Sequence, residues 1–553
     1  MSFLSRLWGH RATRADVAPP SPETVTSLFS MELAKELTNK QAYQEAIDYL
    51  EEHAFDHDVP QEARYLLGKL YRHIGELDQA ELILQQCIED EDFDAATALE
   101  LAEIHFAKHA LDTADFYAKK ALSFDALDNK VLVLLAEIAH EAQRYADSLS
   151  YLEKCALDEN APDEKILTRL ANAQLYSGQY EQSLETAERL INLSPGAEDG
   201  LAFCMYCSNL YLGNIDEARR LAENGVRRHP GDPGFMLGRG MFRLLTHDFA
   251  NGWDDYRYRL QADPRLIRPF PFQEWQGEPL RDKVILVAAE QGIGDQIMFA
   301  SCVTDLVGQG AKVILEATAR LHPLFARSFD ECQVVASDQK YNIDWANSLN
   351  DVDYYLHAGD LPFFFRRTIA DFPTLNSYLR ADSNMASDWR KNLSDQGNDS
   401  TIKLGFAWKG GTEFTRSYVR SLTPADMTPL FGIPNITWIS LQFGATDEEY
   451  ANLPPMHPSS KLLYYPDTGM DLDELAAMID AVDIVITACN TNVHLAGALG
   501  KKTLVLTPYL PEWRYGLEQK MPWYSSVSLL RQHIAGNWSE PIKLACAHIE
   551  SNR

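Results

Sequence analysis

The sequence predicts a multidomain chain, an α-helical solenoid followed by an α/β region whose two halves face a cleft. Three observations carry that reading. A length of 553 residues is too much for one core and suits about three. Small residues recur at a fixed period through the first half. From Lys283 onward, short apolar runs alternate with stretches of helical spacing.

In the first half a small residue follows a short turn at Ala46, Ala80, Ala114, Ser148, Ser183, Ala218 and Gly252, at spacings of 34, 34, 34, 35, 35 and 34. Twelve residues before four of them stand Gly68, Ala102, Ala136 and Ala171. Turn signals lie between, as in Gly75-Glu76-Leu77, Gly178-Gln179-Tyr180 and Gly213-Asn214-Ile215. Antiparallel helices approach closely only where a small side chain sits at the crossing. Repeating such a pair builds a superhelix with a long concave face. The pattern resembles the tetratricopeptide (TPR) repeat, a helix-turn-helix of about 34 residues. The alternative is a non-repeating helical bundle. The resemblance implies a protein partner, an acceptor or a chaperone, rather than a reaction.

Large aromatics, Phe249, Trp253, Tyr256 and Tyr258, crowd the last repeat, as expected where an array ends against another domain. Asp263 to Pro279 is rich in proline and aromatics and reads as an ordered linker lying on that domain, because proline keeps the chain extended.

Val284–Ala288 reads as a buried parallel strand, Glu290-Gln291-Gly292-Ile293-Gly294-Asp295 as the turn after it, and Gln296 to Leu306 as a helix. Lys312–Glu316 is the next strand, and weaker βα units run to about Leu379. A polar break from Ser394 to Ser400 separates the halves. The second half has strands at 402–408, 437–442, 482–487 and 503–506, and helices near 472–481 and 494–499. This alternation gives parallel sheets covered on both faces, hence two Rossmann-like domains with ligands at the carboxyl ends of the strands. The expected boundaries are a disordered leader over 1–30, repeats over 31–260, a linker over 261–280, α/β domains over 281–395 and 400–535, and a tail over 536–553.

The formal net charge is -30, which argues against a general nucleic-acid binder. The acid is uneven: residues 51–200 carry a net of -20 and residues 201–260 a net of +1. It reads as a solvated face, or as a field that repels wrong partners. The eight cysteines are scattered, and Cys204-x-x-Cys207 has no second pair at zinc-ligand spacing. That usage points to a reducing, cytoplasmic setting. No apolar stretch reaches the ~20 residues that cross a bilayer, and the start lacks an apolar core and a cleavage site.

Three motifs appear in order: Glu290-Gln291-Gly292-Ile293-Gly294-Asp295-Gln296; Trp408-Lys409-Gly410 with Arg420-Ser421; and His494 to Gly500 followed by Pro511-Glu512-Trp513-Arg514-Tyr515-Gly516. Over roughly residues 40–535 the chain is similar to bacterial proteins that join TPR repeats to a GT-B glycosyltransferase fold. That fold resembles the lipopolysaccharide heptosyltransferases and, more distantly, the O-GlcNAc transferases. Some proteins of this architecture glycosylate flagellin. The resemblance implies an acceptor-side domain over 281–395 and a nucleotide-sugar domain over 400–535.

Gly292 and Gly294 flank a helix start, where backbone N–H groups approach a ligand closely and favour an anion or acceptor oxygen. The resemblance makes Asp295 the base that deprotonates the acceptor hydroxyl; the alternative is a helix cap. Asn490, Thr491 and Asn492 precede a helix that begins near Val493, so free N–H groups there suit a diphosphate, with His494 as a further donor or else a core histidine. The family carries an Asp-Thr pair where this chain has Cys489 and Asn490. Lys409, with Arg416 and Arg420 nearby, can offset charge on the leaving nucleoside diphosphate or stand in solvent. Gln442 is a candidate for the base or ribose, or a strand-end polar residue.

Asp351-Val352-Asp353 reads as a strand entry rather than a metal site, and no His/Cys/carboxylate set has ligand spacing. No GxSxG or Walker A motif is present. The reading is a metal-independent glycosyltransferase with no cofactor beyond its nucleotide-sugar donor. Its rivals are an inactive TPR scaffold and an enzyme acting on a lipid-linked glycan.

Overall fold

The computed structural model describes residues 29–53, 60–89, 94–155, 163–337, 343–373, 377–396, 401–412, 415–465 and 471–551. The leader expected over 1–30 lies, up to residue 28, outside them. The chain forms two compact units, 1–142 and 143–553.

In the first unit helices run Met31–Asn39, Tyr43–His53, Gln61–His73, Leu77–Glu89, Ala95–Ala107, Leu111–Leu122 and Asn129–Glu141. Ala46, Ala80 and Ala114 are wholly buried, as the period predicts. A Cβ on Gly68 would fall 2.6 Å from Leu84, so the small residue is what lets those two helices touch.

The second unit opens with the helices Tyr145–Cys155, Glu164–Tyr176, Tyr180–Leu193, Glu198–Tyr211, Ile215–Arg228, Pro233–Leu245 and Phe249–Tyr256. Ser148, Ser183 and Ala218 are buried at its crossing points. Both units share a turn device that the sequence half conceals. Gln41, Gly75, His109, Gln143, Gly178, Gly213 and His247 all have φ between 57° and 86°. Four of these left-handed residues are not glycine, so composition alone marks only three of the turns.

Two parallel sheets follow. β1 (Gln273–Glu274), β2 (Val284–Ala288), β3 (Lys312–Ala317), β4 (Gln333–Ala336) and β5 (Tyr354–His357) lie in the order β1-β5-β2-β3-β4. β6 (Ile402–Ala407), β7 (Ile436–Ser440), β8 (Lys461–Leu463), β9 (Ile484–Ala488), β10 (Thr503–Thr507) and β11 (Val527–Arg531) lie in the order β11-β10-β9-β6-β7-β8. Asp353 leads into β5 and pairs with Lys283 at 2.8 Å.

The segment read as a linker packs on the first sheet. β1 adds to the sheet edge beside β5, Trp275 is buried, and Arg268 forms a buried two-oxygen pair with Glu316 at 2.7 and 2.9 Å.

Four features differ from expectation. The compact units divide at Ala142 rather than near residue 260, because Phe249, Trp253 and Tyr256 belong to the same core as Ile285, Val287 and Phe299. Trp253 is fully buried, donates from Nε1 to the Arg366 carbonyl at 2.8 Å and meets Trp513 edge-to-face with ring centroids 5.5 Å apart. The last repeat is thus core to the α/β region. The expected tail contains the helix Ser539–Glu550, whose Ile542, Ala545 and Ile549 pack with Leu504, Leu506 and Leu530 on the second sheet. The expected helix from Gln296 to Leu306 is broken into Ile293–Ala300 and Val303–Gly308, and the Ser301 hydroxyl at the break donates to the Met298 carbonyl at 2.7 Å. The polar break begins inside the helix Ser383–Gln396, and its residues 397–400 lie outside the described set.

Candidate functional site

Parallel strands end on one side, so the loops that follow them meet there. A cleft of about 600 Å³ opens at that edge of both sheets. Ile293 lines it after β2, Arg320 after β3, Lys409 to Gly411 after β6, Gln442 to Gly444 after β7, and Asn490 to Asn492 after β9.

Three amide side chains join these loops. Gln442 Oε1 accepts from the Trp408 and Lys409 N–H groups at 2.9 and 2.8 Å. Asn490 Nδ2 donates to the Lys409 carbonyl at 2.9 Å, while its Oδ1 caps the next helix at Asn492 N–H, also 2.9 Å. Asn492 Nδ2 donates to the Leu441 carbonyl at 3.0 Å. Gly410 is required where it stands: a Cβ would fall 2.3 Å from the Cys489 carbonyl oxygen. Lys409 lines the cleft, and its Nζ pairs with Glu449.

The helix begins at Thr491, two residues before the expected Val493, because Asn490 supplies the cap. Thr491 therefore stands in its first turn, at the positive end of the dipole and in the cleft wall.

A chain of alternating charges links the loops of the two sheets outside the cleft lining. Arg514 donates to Asp295 Oδ1 at 2.6 Å and also to Glu512. Glu512 in turn pairs with Arg420, whose Nε donates to the Gly410 carbonyl at 3.1 Å. Burial opposes the Arg514 charge, but Asp295 and Glu512 win and raise its pKa above the ordinary arginine value. Asp295 Oδ2 accepts from the Gly292 N–H at 3.2 Å, which is the cap predicted as its alternative role.

His494 sits in the core, 4% exposed, with Nδ1 3.0 Å from the Tyr524 hydroxyl. Burial and the nearby Arg514 push its pKa down to about 3, so the ring is neutral. A Cβ on Gly294 would fall 2.9 Å from His494 Cδ2. That glycine therefore serves helix packing, and Gly292, with φ of -82°, needs no special conformation. Cys489 is buried, which pushes its thiol up to about 12.

The structure thus brings Lys409, Gln442, Asn490, Thr491 and Asn492 into one cleft wall. Asp295, Arg420, His494, Gly292 and Gly294 are not among the lining residues. Arg416 turns away from the cleft, over the ring of Tyr211. Sequence reasoning missed Arg320 and Phe443, which stack at 5.7 Å; only their places just after strand ends could have flagged them. Glu512 and Arg514 stand in the third sequence motif, which by itself assigns them no role. Among the described residues no group of three His, Cys, Asp or Glu side chains is placed to hold a metal ion.

A second groove of about 530 Å³ is lined by Tyr176, Phe203, Tyr206, Tyr211, Leu237 and Met241 of the repeats and by Arg416, Trp513 and Arg514 of the α/β loops. Residues close in sequence line the two cavities. Gln291 lines the groove and Ile293 the cleft; Thr415 and Arg416 line the groove and Ser417 the cleft.

The tetratricopeptide repeat family matches residues 62–91, which contain the helices Gln61–His73 and Leu77–Glu89 almost whole. Protein FlbA of Caulobacter vibrioides is 30% identical over 337 residues, 56% of this chain and 54% of FlbA. The chain thus spans about half the length of the curated relative it matches. The C-terminal part of a TPR repeat-containing protein from Cytophaga hutchinsonii is 14% identical, with 42% of this chain and 96% of that chain covered and a TM-score of 0.34. PilF of Pseudomonas aeruginosa is 19% identical, with 37% of this chain and 91% of that chain covered and a TM-score of 0.31. Residues 62–91 match a TPR repeat, and the helix pairs around them form a TPR-like solenoid, an architecture that offers surfaces to proteins; the remainder is α/β with parallel sheets. No helix among the described residues is long and apolar enough to cross a membrane.

Proposed function

We propose that this chain is a metal-independent glycosyltransferase of GT-B architecture. It moves a sugar from a nucleotide-activated donor to a protein acceptor, flagellin being the first candidate, captured by the TPR repeats. The observation that carries the reading is the cleft, where Lys409 and the helix start at Thr491 meet at the carboxyl ends of two parallel sheets. A helix N-terminus and a lysine suit a diphosphate, whose charge grows as it leaves. The acceptor hydroxyl oxygen would bond to the anomeric carbon, the bond to the diphosphate would break with its electron pair, and the hydroxyl proton would pass to Asp295, which is outside the cleft lining but two residues past the cleft-lining Ile293 and 16% exposed. Asp295 Oδ1 accepts from Arg514 and Oδ2 from the Gly292 N–H, and a carboxylate oxygen has a second lone pair for that task. The aromatic groove beside the cleft supports a protein acceptor, because a segment lying along the repeats there is one loop from the donor.

A second reading, an inactive binding scaffold, draws on the same Asp295, which is already engaged as cap and ion-pair partner. Calorimetric titration of the full chain with UDP-, GDP-, CMP- and dTDP-sugars tests the donor site. One of them should bind, and Lys409→Ala and Thr491→Ala should each weaken it by about 1–3 kcal/mol. Mass spectrometry of flagellin from cells with and without the gene tests transfer. Binding without any transferred sugar favours the scaffold; no donor binding at all removes the glycosyltransferase reading.

A further inference from the structure

The loop that carries Lys409 is anchored on the repeats, not only on its own sheet. Arg416 has φ of 56° and ψ of 52°, a left-handed backbone that a non-glycine residue keeps only when its surroundings enforce it. Its guanidinium lies over the Tyr211 ring, 3.9 Å from the centroid, and donates to the Leu510 carbonyl at 3.4 Å. Two residues further, the Tyr418 hydroxyl meets the Tyr180 hydroxyl at 2.9 Å. Tyr418 sits on Gly178, where a Cβ would fall 2.8 Å from its hydroxyl; Tyr509 sits on Gly213 in the same way, at 2.4 Å. Gly178 and Gly213 are the left-handed turn residues of their repeats. The bare backbone of two successive repeat turns thus receives a tyrosine from each of two α/β loops.

Contacts run from there to the cleft. Arg420 donates to the Thr415 hydroxyl and, from Nε, to the Gly410 carbonyl at 3.1 Å. Gly411, with φ of 80°, leaves room for that guanidinium. Gly410 follows Lys409, and Ser417 of the anchored stretch lines the cleft itself.

We infer that the repeats are a structural part of the donor site: Tyr211 with Arg416, and Tyr180 with Tyr418, are positioning residues that set Lys409 and the Gly410–Gly411 turn. The inference rests on the reading of the cleft as a nucleotide-sugar site. The positioning pairs touch no donor; they act by fixing the backbone from which the cleft side chains project.

The test uses the full chain and the variants Arg416→Ala, Tyr211→Leu, Tyr211→Phe and Tyr418→Phe. Calorimetry with UDP, GDP, CDP and dTDP measures affinity, and amide hydrogen exchange measures opening of residues 409–412 and 415–420. Arg416→Ala and Tyr211→Leu should weaken the diphosphate that the wild type binds by about tenfold and speed exchange in both stretches. Tyr211→Phe keeps the ring under Arg416 and should bind and exchange like the wild type, which separates loss of the ring from loss of the hydroxyl. Wild-type affinity and exchange in folded Arg416→Ala and Tyr211→Leu overturn the inference alone. If both variants fail to fold, Tyr418→Phe, which removes one exposed hydroxyl, decides: faster exchange supports the inference and unchanged exchange overturns it. A wild type that binds none of the four diphosphates overturns the inference together with the proposed function.

Discussion

Arg514 donates to Asp295 across 2.6 Å, although 219 positions separate them in the chain. Asp295 is the third residue of the helix after β2, and Arg514 lies in a short turn after β10, so the pair ties the loops of one sheet to those of the other. Arg514 extends the tie through Glu512 to Arg420 and the Gly410 carbonyl. The residue proposed to take the acceptor proton is therefore also part of what links the loops of the two sheets.

That double role changes what Asp295→Asn should do. An amide still caps the helix, but it cannot offset the Arg514 charge. Stability should fall by about 1–3 kcal/mol in urea unfolding. If Asp295 is the base, turnover should fall further than stability accounts for, by roughly 10²–10⁴. A folded Asn variant that keeps most of its turnover would show that Asp295 only caps and pairs.

The two glycines before Asp295 should respond differently to one methyl group. Gly294→Ala places a Cβ 2.9 Å from the buried His494 ring and should cost about 1–3 kcal/mol. Gly292→Ala meets nothing closer than the Asp295 carboxylate at 3.3 Å and should stay within about 1 kcal/mol. Thermal melts of both variants check this; equal losses would contradict the packing account.

His494 makes a pH prediction. Its pKa is pushed down to about 3 by burial and by Arg514, against about 6.5 in an unfolded chain. Between those values the unfolded chain takes up a proton that the folded chain refuses, so stability falls as pH falls through that window. His494→Gln removes this titration, and its loss of stability on acidification should be shallower by up to about 1.4 kcal/mol per pH unit. Burial also lowers His105, His140, His247 and His357, so part of the acid sensitivity should remain. Urea unfolding at several pH values from neutral downward checks the slope, and identical slopes would refute the assignment.

Truncation should follow the compact units rather than the end of the repeats. A fragment of residues 143–553 should unfold cooperatively, because it keeps Phe249, Trp253 and Tyr256 in their core. A fragment of residues 261–553 loses all three. In the full chain Trp253→Ala alone should cost about 3–5 kcal/mol, because the ring is wholly buried among Tyr256, Trp513 and Trp523. Circular dichroism melts would count against this if the shorter fragment proved equally cooperative.

The repeats were legible because a helix crossing imposes a small residue at a fixed interval, and Ala46, Ala80, Ala114, Ser148, Ser183 and Ala218 are buried where the period put them. The strands at β2, β3, β6 and β10 were legible because a parallel strand buried on both faces is a short continuous apolar run. The cleft-lining Lys409, Gln442, Asn490, Thr491 and Asn492 were legible as polar residues just after such runs.

What a residue contacts across the fold was not legible. The local pattern around His494 suits an exposed helix start as well as a buried one; the approach of Gly294 and the Tyr524 hydroxyl decide for burial. The unit boundary at Ala142, the core role of Trp253 and the stacking of Arg416 on Tyr211 likewise belong to the tertiary structure. The sequence by itself determined periodicity, strand order along the chain and where loops begin, since these follow from neighbours within about one turn or one strand. Only the tertiary structure decided which charges pair, which glycines serve packing and which aromatics weld the last repeat to the sheets, because those contacts join residues whose separation along the chain carries no periodic signal.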